Sequence, residues 1–154
     1  MQPELRTMSY VQTHYHIVIV TKYRAKTISH EHCDELYKYI WGIIKAKNCV
    51  LYQINGIEDH IHIFTSIHQS IALADFVKGI KVASSIWLKA NPNFPRFNGW
   101  GIKYAAFTHS ILDKPRLVGY IKKQKRHHGR INVLDEYKLL LIEHEIPFEE
   151  KYLP

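Results

Sequence analysis

Cysteine is nearly absent: Cys33 and Cys49 are the only two in 154 residues. Two thiols cannot build a disulfide framework, and these are not spaced as a zinc site, so a reducing cytosol is the expected compartment. Long apolar runs are also missing. No stretch approaches the roughly 20 residues a membrane helix needs, and Met1-Gln2-Pro3-Glu4-Leu5-Arg6 lacks a signal-peptide core. Acids are outnumbered, with 14 Asp and Glu against 21 Lys and Arg, a formal charge of +7 and a pI near 9.4. That balance suits a polyanionic partner. What remains is a globular composition, 46% hydrophobic and 23% charged, long enough to bury a core as one unit spanning 1–154.

The charge is unevenly placed. Between Lys114 and Leu134 lie Lys114, Arg116, Lys122, Lys123, Lys125, Arg126 and Arg130, without an acid, whereas Asp135 to Lys151 carries six acids against Lys138 and Lys151. Histidine is the other surplus, at 11. In Gly56-Ile57-Glu58-Asp59-His60-Ile61-His62-Ile63-Phe64, strand alternation puts His60 and His62 on one face with Cα atoms roughly 6.5 to 7 Å apart, and Ile61 and Ile63 on the other. Such a pair can grip one metal ion, although His pairs on exposed strands commonly do nothing. His14-Tyr15-His16 repeats the spacing near the start of an earlier strand, and either ring could approach the site as a neighbour. Asp59 is expected to point away from the pair.

Read in order, Tyr10 to Tyr23 is a β-rich strand, and Ser29 can cap a helix running to about Asn48. Cys49 to Ile54 and Ile57 to Ile67 form a hairpin through an Asn55-Gly56 turn, and Ile71 to Ala90 has a helical apolar stripe. On its other faces Lys78, Lys81, Ser84 and Ser85 could contact phosphates or simply be solvated. Asn91 to Gly101 is a loop whose Phe94, Phe97 and Trp100 either plug the core edge, the favoured reading, or stack on bases. Lys103 to Ser110 is a fourth strand. This order predicts an α+β fold of ferredoxin-like βαββαβ type, an antiparallel sheet with helices on one face and the other face open towards His60 and His62. Asp113 can then cap a helix with Pro115 in its first turn, ending near His128 before Gly129. Val133 to Glu145 reads as a last amphipathic helix, a lid or dimer element.

Tyr120 and Gln124 stand one turn apart on the penultimate helix, roughly 5 to 6 Å between Cβ atoms. On a DNA substrate, a metal on His60 and His62 would polarise the scissile phosphate, the Gln124 carbonyl could complete the ligand set, and Tyr120 could attack phosphorus. Two imidazoles and an amide oxygen make a hard, neutral site suited to Mg²⁺ or Mn²⁺, with zinc an alternative. Taken singly, Tyr120 reads as a packed aromatic and Gln124 as a surface amide.

The Gly-x-x-Asp-His-Ile-His-Ile stretch, the Phe-Thr-His-Ser strand end, Tyr120-Ile121-Lys122-Lys123-Gln124 with its basic tail, and the early His16-Ile17-Val18-Ile19-Val20-Thr21-Lys22-Tyr23-Arg24 together resemble the single-tyrosine HUH transposases of the 200/605 group of insertion sequences. The likeness runs from Tyr10 to about Leu153. It implies one HUH transposase domain over 1–154, with helices at about 113–145 carrying the nucleophile. It also implies His60, His62 and Gln124 as metal ligands, Tyr120 as nucleophile, and Mg²⁺ or Mn²⁺ as the ion. The expected partners are single-stranded DNA, DNA hairpins and a second copy in a homodimer, with no membrane, no small-molecule cofactor and a cytoplasmic, nucleoid-associated location. Lys78, Lys81, Lys122, Lys123, Lys125, Arg126 and Arg130 are the DNA-contact candidates, His127 and His128 extending that strip. Lys103-Tyr104-Ala105-Ala106-Phe107 departs from the group's Gly-Tyr-Gly-Ala-Phe and should stiffen a linker before the tyrosine helix. A domesticated hairpin-binding protein that does not cut is the alternative, and a relaxase or replication initiator a third reading.

Overall fold

The computed structural model describes residues 9–127 and 130–154. In chain order the elements are β1 (His14–Thr21), α1 (Cys33–Ala46), β2 (Leu51–Ile57), β3 (His60–Ser66), α2 (Leu73–Ala90) and β4 (Trp100–His109), followed by α3 (Lys114–Lys122), α4 (Gln124–His127) and α5 (Val133–Glu143). The strands lie in the order β2-β3-β1-β4 with every pairing antiparallel, the ferredoxin-like arrangement expected from the strand and helix order.

One face is packed as alternation requires. Ile17 and Ile19 of β1 and Ile61 and Ile63 of β3 are fully buried against Leu36, Ile40 and Ile44 of α1 and Phe76 and Ile80 of α2. Phe94, Phe97 and Trp100 are also buried there, as the core-edge reading of the loop held. Ser84 joins them instead of facing outward, because its hydroxyl donates to the Ile80 carbonyl and accepts from the Trp100 indole.

The opposite face is not open. Leu117 and Ile121 of α3 pack on Phe64, and Val133, Tyr137, Leu140 and Leu141 of α5 pack on Val18, Val20, Ala105 and Phe107. The reason is visible in β1, whose Ile17-Val18-Ile19-Val20 run is apolar on both sides and so calls for cover on both. α5 is therefore a lid over its own sheet. The two departures, Lys103 and Ala105, lie inside β4, not in a linker, and Ala105 helps seat that lid.

Local boundaries moved for physical reasons. The hairpin does not turn at Asn55-Gly56, since both residues pair within β2 and the chain reverses at Glu58-Asp59. Gly56 sits opposite Ile61, where an added Cβ would lie 2.1 Å from the His60 carbonyl oxygen. Glycine is needed there for close backbone approach. β1 starts at His14 instead of Tyr10, α1 starts at Cys33 with His32, not Ser29, at its cap, and Asp113 makes no side-chain cap because it accepts from His109 Nδ1 at 3.0 Å. The helix read as continuous breaks at Lys123 into α3 and α4, and its expected end at His128-Gly129 lies outside the described residues.

Candidate functional site

β3 delivers His60 and His62 to the covered face, fully buried, opposite Val20 and Val18 of β1. Each ring is held by its Nδ1. Asp59 Oδ1 accepts from His60 Nδ1 at 2.6 Å, and His62 Nδ1 lies 2.8 Å from His16 Nε2. Asp59 was expected to face away, but it belongs to the turn and not to the strand, so alternation does not govern it and its carboxylate folds back onto its neighbour. His16 comes from β1, confirming that one ring of the earlier His-x-His pair is a neighbour of the site. His14 instead contacts the Tyr52 hydroxyl at 3.2 Å.

With their Nδ1 atoms committed, both rings turn Nε2 towards one carboxylate. Glu136 Oε1 is 2.8 Å from His62 Nε2 and 3.4 Å from His60 Nε2, and Gln124 Oε1 is 3.3 Å from His60 Nε2. On the other oxygen, Glu136 Oε2 accepts from the Tyr120 hydroxyl at 2.7 Å and from Gln124 Nε2 at 3.1 Å. Four sequence candidates, His60, His62, Tyr120 and Gln124, thus meet in one buried polar cluster within a single chain. Glu136 is the hub that sequence reasoning missed. The signal was present: Val133, Glu136 and Leu140 share one helical stripe, and an acid on a buried stripe is rare without partners.

The cluster suits a small hard cation. Ligating atoms of His60, His62 and Glu136 lie within 4.8 Å of one another, and the Gln124 carbonyl adds a fourth oxygen or nitrogen donor nearby. The carboxylate replaces the neutral site expected from sequence with an anionic one, which strengthens the fit to Mg²⁺ or Mn²⁺. Carboxylate and imidazole partners on the outer nitrogens are the usual means of aiming such ligands. As the side chains stand, the carboxylate can only accept, so His62 Nε2 carries the proton and Nδ1 accepts from His16 Nε2. A cation on Nε2 calls for the reverse tautomer, and the same pair of nitrogens then serves with Nδ1 donating to His16.

Electrostatics follow the packing. Burial opposes charge on His60, but hydrogen bonds to Asp59 and then Glu136 outweigh it and raise its pKa. Burial, with the neighbouring His62 second, holds His16 well below the usual histidine value. Tyr120 is half-buried, and burial first and the Glu136 carboxylate second push its phenol above the ordinary tyrosine range. The tyrosine helix is tied down at its end, where Asn55 Nδ2 of β2 donates to the carbonyls of Ile121 at 3.0 Å and Lys122 at 3.1 Å.

The cationic candidates separate into two groups. Lys122, Lys123, Lys125, Arg126 and Arg130 are exposed beside the tyrosine helix, and Lys125 is bonded to Asn55 Oδ1 at 2.8 Å. Lys78 is exposed on α2, but Lys81 turns inward to the Gly101 and Ile102 carbonyls. The His127 side chain and His128 lie outside the described residues. No helix is long and apolar enough to cross a membrane among the described residues.

Residues 9–124 match the family model described as IS200-like transposase. The ISDra2 transposase TnpA of Deinococcus radiodurans is 27% identical over 118 residues, covering 73% of this chain and 84% of that protein. A crystal structure assigned to a transposase of Deinococcus radiodurans superposes with a TM-score of 0.57 at 25% identity, over 80% of this chain and 98% of the other. The structure of a REP-associated tyrosine transposase bound to a REP hairpin shares the fold, with a TM-score of 0.60 at 14% identity over 88% and 79% of the two chains. His60, His62, Tyr120 and Gln124 all fall inside the family match, and Glu136 falls beyond it. With well over half its length matched, the chain belongs to the IS200-like transposase family.

Proposed function

We propose that this chain cuts and rejoins single-stranded DNA at the ends of an insertion sequence, through a 5′-phosphotyrosine on Tyr120 and with a divalent metal held by His60, His62, Glu136 and Gln124. The observation that carries it is the convergence of the Tyr120 hydroxyl and both imidazole Nε2 atoms on one carboxylate, Glu136. Mg²⁺ or Mn²⁺ bound there would draw charge off the non-bridging oxygens of the scissile phosphate.

The remaining chemistry belongs to the side chains. Asp59 and His16 keep both rings aimed. Tyr120 Oη forms the bond to phosphorus, the bond from phosphorus to the 3′ oxygen breaks, that oxygen takes a proton from water to leave as a 3′ hydroxyl, and the phenol proton passes to Glu136 Oε2, which already accepts its hydrogen bond at 2.7 Å. An incoming 3′ hydroxyl reverses the step and releases the tyrosine, so the bond energy of the cut strand is retained. The exposed Lys122, Lys123, Lys125, Arg126 and Arg130 neutralise flanking phosphates and make binding salt-sensitive. Hairpin recognition and a homodimer are part of the same reading. Tyr120 reaches the cluster within one chain, which supports a site assembled in cis.

Strand polarity tests the reaction. Incubated with Mn²⁺ and a hairpin-bearing single strand, the protein should become covalently labelled when the label is at the 3′ end and should release a free fragment when it is at the 5′ end. The Tyr120→Phe protein should do neither. Equal products from wild type and Tyr120→Phe would refute the assignment, and a gel shift without any adduct would leave a hairpin-binding protein that does not cut.

A further inference from the structure

Three buried side-chain atoms find no hydrogen-bond partner among the described residues, and two of them belong to neighbouring imidazoles, His16 Nδ1 and His109 Nε2. In the antiparallel pairing of β1 and β4, His16 lies opposite Phe107 and His14 opposite His109. His16 and His109 are therefore diagonal neighbours on one face of the sheet, the face that carries the His60 and His62 cluster. Their ring centroids are 6.3 Å apart, too wide for a direct hydrogen bond and of the size that one water spans. The His16 side chain is fully buried and that of His109 is 5% exposed, with Phe107 against the first ring and Phe64 and His144 against the second. A polar atom held in such surroundings is costly unless something bonds to it.

The partners at the far ends decide what each of the two nitrogens offers. His109 Nδ1 donates to Asp113 Oδ2 at 3.0 Å, and this bond holds the Asp113 carboxyl below the usual carboxylate range. Nε2 of the neutral His109 ring is then a lone pair. His62 Nε2 donates to Glu136 and His62 Nδ1 accepts from His16 Nε2 at 2.8 Å, so His16 Nδ1 is a lone pair too. One water, with two hydrogens to give, satisfies both.

A cation on His62 Nε2 reverses this pattern. The Nε2 proton leaves for solvent, His62 Nδ1 takes the proton of His16 Nε2, and His16 Nδ1 gains one from solvent, so both rings stay neutral. His16 Nδ1 has become a donor. It is satisfied when the bridging water turns a lone pair towards it and gives a hydrogen to His109 Nε2, which Asp113 keeps as an acceptor.

We propose that His109 is a positioning residue of the metal site, supporting through one bridging water and His16 the tautomer of His62 that a cation requires. The inference rests on the metal reading given above and deepens it, because it extends the support of His62 from its own strand across β1 to β4 and the turn that holds Asp113.

The test reads tautomers directly, from two-bond ¹H–¹⁵N correlations of the full chain with labelled imidazoles, titrated with Mg²⁺, which unlike Mn²⁺ is diamagnetic. In the wild type His16 should change from Nε2–H to Nδ1–H in step with His62. In His109→Leu, which accepts nothing, half-conversion should need about tenfold more Mg²⁺, the low end for a partner outside the ligands themselves. Its melting temperature without metal should hold, because an unpartnered buried nitrogen has given way to apolar volume. His109→Gln, whose amide oxygen can accept, should convert within about threefold of wild type. A His16 ring that keeps Nε2–H in the Mg²⁺-saturated protein would overturn the proposal. So would wild-type Mg²⁺ affinity in His109→Leu, an equal loss in His109→Gln, or a loss of affinity matched by a fall in melting temperature. The two readings fail separately. A His62 that does not respond to Mg²⁺ sinks the metal reading and this inference with it, whereas a His62 that responds while His16 does not sinks only the role of His109.

Discussion

Replacing Glu136 by glutamine removes one charge from the centre of the cluster while keeping its shape. The carboxylate lies 2.8 Å from His62 Nε2, 2.7 Å from the Tyr120 hydroxyl and 3.1 Å from Gln124 Nε2. Hydrogen bonds to a charged group are worth about 1.5–3 kcal/mol against about 1 for neutral pairs, and the new amide must turn an NH₂ towards a donor on one side. A net loss of about 2 kcal/mol follows, which in a chain of 154 residues lowers the melting temperature by about 4–8 °C. The larger effect is on the cation. Removing a partner one shell out from a metal costs about 10–100-fold in affinity, so losing a contacting carboxylate should cost at least about 100-fold. At Mn²⁺ equal to 100 times its dissociation constant the wild type gains about 2.7 kcal/mol, and the variant at the same concentration about 0.4. Differential scanning calorimetry with and without Mn²⁺ should therefore show a rise of about 5–11 °C for wild type and about 1–2 °C for Glu136→Gln. An equal Mn²⁺ response in the two proteins would refute the placement of Glu136 in the metal set.

Other substitutions probe how the cluster is held. Asp59→Asn keeps an acceptor on His60 Nδ1 but removes its charge, so Mn²⁺ affinity by calorimetry should weaken about 10–100-fold and stability should fall by about 1 kcal/mol as a charge-assisted hydrogen bond becomes a neutral one; an unchanged dissociation constant would count against an orienting role. Gly56→Ala drives a Cβ to 2.1 Å from the His60 carbonyl oxygen. The cost should be about 3 kcal/mol, the upper end for overpacking, with the melting temperature falling about 6–12 °C. A fall of under about 2 °C would show that the strands can separate without penalty. Asn55→Ala frees the end of the tyrosine helix, so the rate of adduct formation should fall about 10–100-fold while Mn²⁺ affinity holds, and a parallel loss of both would point to general unfolding of the site instead.

Much of this arrangement was legible because it is local. Alternation along His60-Ile61-His62-Ile63 separates ligands from core, and the one-turn spacing of Tyr120 and Gln124 puts both on one stripe. What escaped depends on the chain returning to itself. Glu136 sits at the start of an acid-rich segment on a helix read only as a lid or dimer element, and only the docking of α5 on Val18, Val20, Ala105 and Phe107 carries it into the cluster. Asp59 escapes because a strand begun at Ile57 starts three residues ahead of His60 and runs through the turn. Asn55-Gly56 has turn chemistry, but Gly56 is used for close strand approach and Asn55 for holding α3.

The account turns on a cation and a nucleophilic phenol sharing one carboxylate. Anomalous scattering from crystals grown with Mn²⁺ measures this directly. The strongest peak should lie within coordination distance, about 2.0–2.3 Å, of His60 Nε2, His62 Nε2 and a Glu136 oxygen, with the Tyr120 hydroxyl beside it. A Mn²⁺ peak away from these atoms, or crystals saturated with Mn²⁺ in which Glu136 and both imidazoles keep their present contacts with no peak between them, would contradict it.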